Sequence, residues 1–369
     1  MDTFNTFLSL SELKEHYSNT PVGICPLYKG SIGTTKRFET SGNPVVIPEY
    51  VALEKLNVEF LPKQAGTGDP SPENVRPIPG WDEVTVTRCG KNLLGISLPY
   101  SFSNDSSTEF SLDLDLTGTF AFSVQIDFTE PGITSIALFS FVVDGTEQYI
   151  SSGTINEGKI LTGHLSKLSL INWSNSEGTI NEIQLEVGST PTPYEPYQGN
   201  DYTLTLPETI YGGTVDAVTG VGSKTWEFVE FDGTEDWYQN GENGYFLRAV
   251  TDIGPPGNRE SISNIAVNSG SAITPIPDGK FNTWSFSDKR GWCGFSLGFA
   301  DSLDSWKSYL AAQASAGTPV QVAYKLATPE PFKVSQISIP SLGSENTFFT
   351  NGENLDIIYK ESSFWSDEA

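Results

Sequence analysis

Aromatic side chains set among amides and carboxylates are the residues best suited to chemistry in this chain of 369 residues. The clearest stretch spans residues 236–245 and contains Trp237 and Tyr238 beside amide side chains and glycines. This mixture suits a sugar, because rings stack on apolar sugar faces while amides and carboxylates hydrogen-bond the hydroxyls. We therefore predict a glycan contact through Trp237 and Tyr238. The alternative is a hairpin in which Gln239-Asn240-Gly241 forms the turn and one of the two rings is core.

Three more tryptophans are secondary candidates for the same contact. Trp173 follows a predicted strand and resembles a rim aromatic, and Trp284 and Trp292 flank a polar stretch that we predict to be a loop with one side facing solvent. Packing in or beside a core is the alternative for Trp173, and Trp284 and Trp292 rank behind it as candidates. Asp113 and Asp115 alternate along a predicted strand, which favours a solvated face over a calcium site.

Signatures of catalysis are missing from the sequence. The two histidines, His16 and His164, have no metal-ligand spacing, and we expect each to be exposed or hydrogen-bonded, with His164 at a loop end. Cys25, Cys89 and Cys293 are widely separated, so we expect three reduced thiols. No phosphate-binding loop, zinc-protease motif or serine elbow occurs. We expect no enzymatic activity, no metal and no cofactor, although 46 acidic residues leave a chance carboxylate pair, and hence a glycosidase, open.

The charge balance limits the partners. With 21 basic and 46 acidic residues, the formal net charge of −25 repels nucleic acids and anionic membranes and favours a neutral polysaccharide as the glycan. No stretch approaches the roughly 20 apolar residues of a spanning helix. Asp2 precedes every basic residue and the following segment is broken by polar groups, so we expect no secretory leader and synthesis in the cytoplasm.

Alternation of apolar and polar residues from residue 84 onward predicts an all-β fold. The longest run places five apolar side chains on one face: Phe120, Phe122, Val124, Ile126 and Phe128. Near residue 187, Ile183, Leu185 and Val187 alternate with three polar residues, Glu182, Gln184 and Glu186, which we expect on a wet face. One helix is predicted after a cap at Asp301 or Ser302, with Trp306 in the core and Gly317 past its end.

These patterns divide the chain into four parts. Residues 1–64, with a capping-box pattern at Ser9 and Glu12, are interpreted as an attachment segment. Residues 65–89 are a Pro/Gly-rich connector of turns and extended geometry. Residues 90–198 are predicted to form a jelly roll or β-sandwich like a carbohydrate-binding module, and residues 199–369 a second β-rich domain containing the helix.

Several motifs resemble structural proteins of tailed phages and prophages of Gram-positive bacteria. The longest runs from Ala65 to Ile78 and reads AGTGDPSPENVRPI, and it is followed by Val84 to Arg88 and by Lys91 to Leu94. The segment IQLEVGSTPTPYEPY, from Ile183 to Tyr197, resembles the last strand and exit of a phage jelly roll. The pair FDGTEDW, from Phe231, and VAYKLATP, from Val322, is similar to the C-terminal part of the same proteins.

The resemblance implies a virion component of the tail tip, baseplate or fibre that displays β-modules to the host surface. Its expected partners are other virion proteins, further copies of itself, with a trimer favoured, and a host polysaccharide. A capsid decoration or head-fibre protein built from the same modules is the alternative, and a glycan-degrading virion enzyme is the third. Because a fold does not fix a function, the resemblance supplies no catalytic residues.

Overall fold

The computed structural model describes residues 35–40, 44–48, 52–103, 110–129, 137–151, 158–171, 177–240, 245–254, 260–270, 276–286, 290–342 and 345–360. Of these residues, 60% lie in β-strands, and one α-helix is present, α1 (Leu303–Ser315). The chain is therefore a mainly β protein of the sandwich type, as the alternation predicted. In these ranges no helix is long and apolar enough to cross a bilayer. Predictions for Ser9, His16, Cys25 and Trp173 fall outside them.

The largest of the four sheets formed by the described residues joins strands from both ends of the chain. Its seven antiparallel strands, in spatial order, are β1 (Thr35–Thr40), β22 (Asn354–Lys360), β3 (Ala52–Phe60), β12 (Gly213–Asp216), β13 (Val221–Phe231), β20 (Val320–Lys333) and β16 (Ser261–Ser263). A four-stranded antiparallel sheet contains β11 (Gly199–Ile210), β4 (Trp81–Cys89), β21 (Glu345–Thr350) and β2 (Val45–Pro48). Apolar side chains from both sheets form one core, including Phe60, Val86 and Ile357.

A six-stranded antiparallel sheet occupies the region predicted as a jelly roll. Its strands, in spatial order, are β5 (Tyr100–Phe102), β10 (Gly178–Val187), β6 (Phe110–Phe128), β9 (Lys159–Leu170), β7 (Ala137–Val143) and β8 (Thr146–Ser151). All six strands contribute to one core, so the sheet curves around its own apolar face. The predicted face of β6 is confirmed: Phe120, Phe122 and Val124 are buried in this core, and Ile126 and Phe128 pack against it.

The fourth sheet carries most of the candidate binding residues. Its strands, in spatial order, are β14 (Tyr238–Asn240), β15 (Tyr245–Thr251), β19 (Arg290–Ser296), β18 (Lys280–Phe286) and β17 (Val267–Asn268). Pairing is antiparallel throughout except between β17 and β18. One face packs on α1 and on β13 and β20 in a core centred on Trp306 and Phe295. The opposite face, called the outer face below, carries every second residue of each strand.

The helix forms as its sequence predicts. Ser302 is the N-cap, and its side chain accepts from the backbone of Ser305 while the Ser305 hydroxyl accepts from the backbone of Ser302. Trp306 and Leu310 are fully buried. Gly317, with a φ of 77°, follows the C-cap, a conformation that glycine adopts without steric cost.

Parts of the first two predicted segments are built into the sheets. From the segment predicted to serve attachment, β1 and β3 both pair with β22, and β2 pairs with β21. From the predicted connector, residues 81–89 form β4, which lies between β11 and β21. The alternation of Val84 and Val86, both buried, explains why this stretch is a strand rather than extended linker.

The wet face predicted near the end of β10 is wrong. Gln184 and Glu186 are 0% and 3% exposed, although Ile183 and Leu185 face the core as predicted. The reason is that residues 188–198 turn back over the polar side of the strand. Glu186 accepts from the Thr192 amide at 2.7 Å and from its hydroxyl at 2.6 Å, and Gln184 accepts from the Glu195 amide at 2.8 Å. This polar side is therefore a buried hydrogen-bonded cluster.

Candidate functional site

Trp237, the first of the predicted glycan contacts, is a core residue. Its side chain is 4% exposed, and its ring packs 5.0 Å from Phe231 and 5.4 Å from Trp306, edge-to-face in both cases. The indole Nε1 donates to Glu235 Oε2 at 3.1 Å. With both ring faces inside the core, Trp237 cannot stack on a sugar. The structure thus selects the alternative in which one of the two neighbouring rings is core.

The FDGTEDW motif is the loop that holds this tryptophan. Besides the indole, the Glu235 carboxylate accepts from the backbone amides of Asp232 and Gly233 at 2.9 and 3.0 Å. Gly233 has a φ of 88°, and a Cβ there would lie 2.4 Å from the Lys307 carbonyl oxygen of α1. Glycine is therefore required for the loop to approach the helix. These packing contacts and hydrogen bonds explain why Gly233, Glu235 and Trp237 occur in the FDGTEDW motif.

Tyr238, Trp292 and Trp284 come together on the outer face of the five-stranded sheet. The Tyr238 ring lies 4.9 Å from the Trp292 ring at 84°, an edge-to-face contact. Trp292 is directly opposite Trp284 on one side and Ala249 on the other, and residues opposite each other in antiparallel strands share a face. The two tryptophans therefore lie on the paired strands β18 and β19, which flank the predicted loop.

The rings form a strip that solvent reaches. Tyr238 is 41% exposed, Ala249 is exposed, and Trp284 and Trp292 are partly exposed. The strip crosses β14, β15, β19 and β18, and three interstrand spacings give it a length of roughly 14 Å. Partial burial raises the pKa of the Tyr238 phenol, which keeps its hydroxyl neutral and able to donate and accept. We call Tyr238, Ala249, Trp292 and Trp284 the aromatic strip.

Next to the strip the outer face is closed. Leu247 and Asn282 are 6% and 1% exposed, and a Cβ on Gly294 would lie 2.6 Å from Leu247 Cδ2 and 2.7 Å from Ile276 Cδ1. These side chains fill the space above Gly294. The aromatic strip is thus the solvent-accessible part of the outer face, and the packed side chains of Leu247, Asn282 and Ile276 lie beside it.

The sequence contains only a weak signal for this arrangement. The segments KFNTWSF and RGWCGFS are rich in aromatic residues, which favour strands, but apolar and polar residues do not alternate strictly in either. Joining them to Tyr238 requires the pairing of β14 with β15 and of β15 with β19, which links residues about fifty positions apart.

A polar cleft lies where residues 188–198 meet the four-stranded sheet. It encloses about 90 Å³ and is lined by Gly90, Lys91, Glu195, Pro196, Gln198, Leu342 and Glu345. Lys91 Nζ donates to Glu195 Oε1 at 2.9 Å and to the Pro193 carbonyl at 3.0 Å. Burial raises the pKa of Glu345; the Lys91 ammonium opposes this and the carboxylate of Glu195 adds to it.

The cleft is smaller than a sugar site requires. Its volume of about 90 Å³ is well below the roughly 300–1,000 Å³ that small-molecule sites usually enclose. Lys91 follows β4 of the four-stranded sheet, and Glu195 lies in residues 188–198, which lead from β10 of the six-stranded sheet to β11. Their ion pair therefore links the segments that connect the two sheets. Partial burial beside this ion pair explains the raised pKa of Glu345.

The remaining predicted chemical groups are structural or exposed. Cys89 and Cys293 are buried free thiols; burial raises the pKa of Cys89 to about 12 and that of Cys293 further, so both are unreactive. His164 lies within β9 and its Nε2 is 2.9 Å from Asp115 Oδ1, so the expected hydrogen bond is present, although the residue is not at a loop end. Asp113 and Asp115 are exposed, as predicted for a solvated face.

The long Ala65–Ile78 motif forms a loop organised by Arg76. Its guanidinium donates to four backbone carbonyls of residues 64–68, at 2.9 Å for Ala65 and 2.7 Å for Gly66. Asn74 Nδ2 donates to the carbonyls of Thr67 and Asp69. The Arg76 amide donates to the Asn264 carbonyl at 2.8 Å, which docks the loop beside β16.

No protein-family model, curated protein or solved structure matches this chain. The phage resemblance therefore rests on the sequence motifs alone.

Proposed function

We propose that this chain is a non-catalytic structural protein of a phage virion, in the tail tip, baseplate or fibre, that binds a host-surface glycan through the aromatic strip. The observation that carries the binding role is the edge-to-face pair of Tyr238 and Trp292 with Trp284 opposite, all accessible on one sheet face. The virion role is supported by the phage-like motifs. Location in the virion and oligomerisation, with a trimer favoured, belong to the same proposal.

The geometry suits an extended glycan better than a small ligand. Three rings and Ala249, aligned across four strands, present a shallow surface along which successive sugars can lie, rather than a pocket that encloses one. Contact with a single ring contributes on the order of 1–2 kcal/mol, so one site binds weakly. Several copies in one particle convert weak single sites into useful avidity.

A pull-down on purified Gram-positive cell walls tests the binding role with the full chain. Tyr238→Ala and Trp292→Ala should each weaken binding about five- to thirty-fold, the equivalent of 1–2 kcal/mol. Tyr149→Ala is the matched control, because Tyr149 is 47% exposed on β8 of another sheet and should leave binding unchanged. Circular dichroism confirms that each variant is folded.

Each other outcome supports a different function. If both folded strip variants bind like the wild type, the aromatic strip is not the site. If the wild type does not bind, attachment fails and a capsid decoration role gains support. Release of oligosaccharide from the walls would indicate a glycan-degrading enzyme. Electron microscopy of intact particles then places the protein in the tail or the head, and light scattering that finds a monomer at micromolar concentration argues against the trimer.

A further inference from the structure

The five-stranded sheet that carries the aromatic strip lacks acidic residues. The 26 residues of β14, β15, β17, β18 and β19 include no Asp or Glu, whereas a chain with 46 acids in 369 residues would place about three there by chance. By contrast, β6 contains three aspartates and β13 two glutamates. The sheet instead contains Arg248, Lys280 and Arg290.

Two of these cations share the outer face with the rings. Arg290 and Trp292 are two residues apart on β19, and Lys280 and Trp284 are four apart on β18, so alternation puts each pair on one side of the sheet. Arg290 is exposed and lies about 7 Å along the strand from Trp292. Arg248 is on the other face, where it lowers the pKa of the buried Cys293 against the larger effect of burial.

From this placement we infer that the aromatic strip takes an acidic glycan, one bearing carboxylate or phosphate groups, with Arg290 as the residue that recognises the charge. The inference rests on the proposed function and names its ligand class. A guanidinium forms two parallel hydrogen bonds with a carboxylate or phosphate, while the adjacent indole holds the sugar ring. A neutral glycan would use the rings but would leave Arg290 without a role in binding.

The overall charge of −25 does not contradict this assignment. At physiological ionic strength charges are screened beyond roughly 8 Å, so a ligand on the strip experiences chiefly the nearby charges. These are Arg290 and Lys280, and Asp236, which is exposed two residues before Tyr238. Rings and cations on a sheet also fit single-stranded nucleic acid. A nucleic acid carries a phosphate on every nucleotide and extends past this face, so the rest of the acidic protein repels it. A glycan with sparser charge is therefore the better match.

The test compares acidic and neutral ligands on the full chain. The probes are printed glycans in matched pairs, neutral and carrying uronate, sialate or phosphate, with a thymidine oligonucleotide as the nucleic-acid control. Acidic members should bind more strongly than their neutral partners, and raising NaCl from about 0.1 M to about 1 M, which shortens the screening length from roughly 10 to 3 Å, should abolish the difference. Arg290→Gln should reduce acidic binding about tenfold.

A matched control isolates Arg290 from net charge. Lys333→Gln removes one positive charge from an exposed residue at the end of β20, outside this sheet, and should change nothing. Equal or stronger binding of neutral glycans, or an unchanged Arg290→Gln variant, overturns the inference and leaves attachment standing. Stronger binding of the oligonucleotide also overturns it. Absence of binding to every printed glycan removes attachment and this inference together.

Discussion

Replacing Glu186 with alanine tests the polar cluster beneath the exit from β10, the place where sequence alternation and structure disagree most. The carboxylate is 3% exposed and accepts three hydrogen bonds, from the amide and hydroxyl of Thr192 and, at 2.9 Å, from Gln184 Nε2. Alternation alone predicts a solvated glutamate, whose replacement changes stability by no more than about 0.5 kcal/mol. The sequence pattern and the structure therefore predict different changes in the free energy of unfolding.

The expected loss follows from those three bonds. A hydrogen bond to a charged group contributes about 1.5–3 kcal/mol, but the three share one carboxylate and do not add. Removing the side chain leaves the amide and hydroxyl of Thr192 without their acceptor, while Gln184 Nε2 keeps the Thr192 carbonyl at 3.4 Å. It also leaves a space that water can enter, which returns part of the loss. We expect Glu186→Ala to lower the free energy of unfolding by about 2–4 kcal/mol. Glu186→Gln keeps the shape and one acceptor oxygen, and we expect about 1 kcal/mol.

Denaturation and amide hydrogen exchange measure the effect globally and locally. The Thr192 amide donates to Glu186 and the Glu195 amide to Gln184, so both should exchange at least about tenfold faster in Glu186→Ala, the equivalent of 1.4 kcal/mol. If stability changes by less than about 0.5 kcal/mol and neither amide exchanges faster, Glu186 is solvated in solution and the buried cluster does not exist.

Three further substitutions test other parts of the fold. The folded-state pKa of Glu345 is raised above its ordinary 4.5, so ionisation of this carboxyl as the pH rises through that range costs stability. Glu345→Gln should therefore raise the Tm at pH 7 and lose this advantage below about pH 4. An equal gain at both pH values would contradict the prediction. Gly163 has a φ of 132° and a Cβ there would lie 2.3 Å from an Asp144 carboxylate oxygen, so Gly163→Ala should cost about 1–3 kcal/mol by denaturant titration, whereas Gly90→Ala, with open space around it, should cost little. Ser302→Ala removes the N-cap of α1 and should cost about 1 kcal/mol by the same measurement, and no change would show that the helix does not depend on its cap.

Local pattern was sufficient for the buried face of β6 and for the helix, but it did not identify β1, β2 or β3. The buried face of β6 and the cap, core residue and terminating glycine of α1 all follow from the identities of neighbouring residues. What local pattern could not provide is pairing over long sequence distances. Thr35 is opposite Lys360, and Val45 is opposite Phe348, contacts that no periodicity specifies because strand order is decided by the packing of whole sheets.

The candidate site shows the same limit at the level of single residues. Trp237 and Tyr238 are neighbours with similar composition around them, yet one is 4% exposed and the other 41%. Glu235 and the approach of Gly233 to α1 direct Trp237 inward, while Tyr238 begins β14, where alternation places it on the outer face. An aromatic residue in a polar stretch is therefore a candidate for binding only after its face is known.

Charge, like the exposure of an aromatic ring, differs between the faces of one sheet and has to be assessed for each face. Composition gives −25 for the chain, and from that value alone a neutral ligand is the better prediction. Strand pairing joins five strands between residues 238 and 296 into one sheet, and these strands contain no carboxylate. Arg290 and Lys280 share its outer face with the rings. Ligand contacts extend over a few ångströms and screening over roughly 8 Å, so the local set of charges decides which ligand binds, and the net charge governs mainly the approach from a distance.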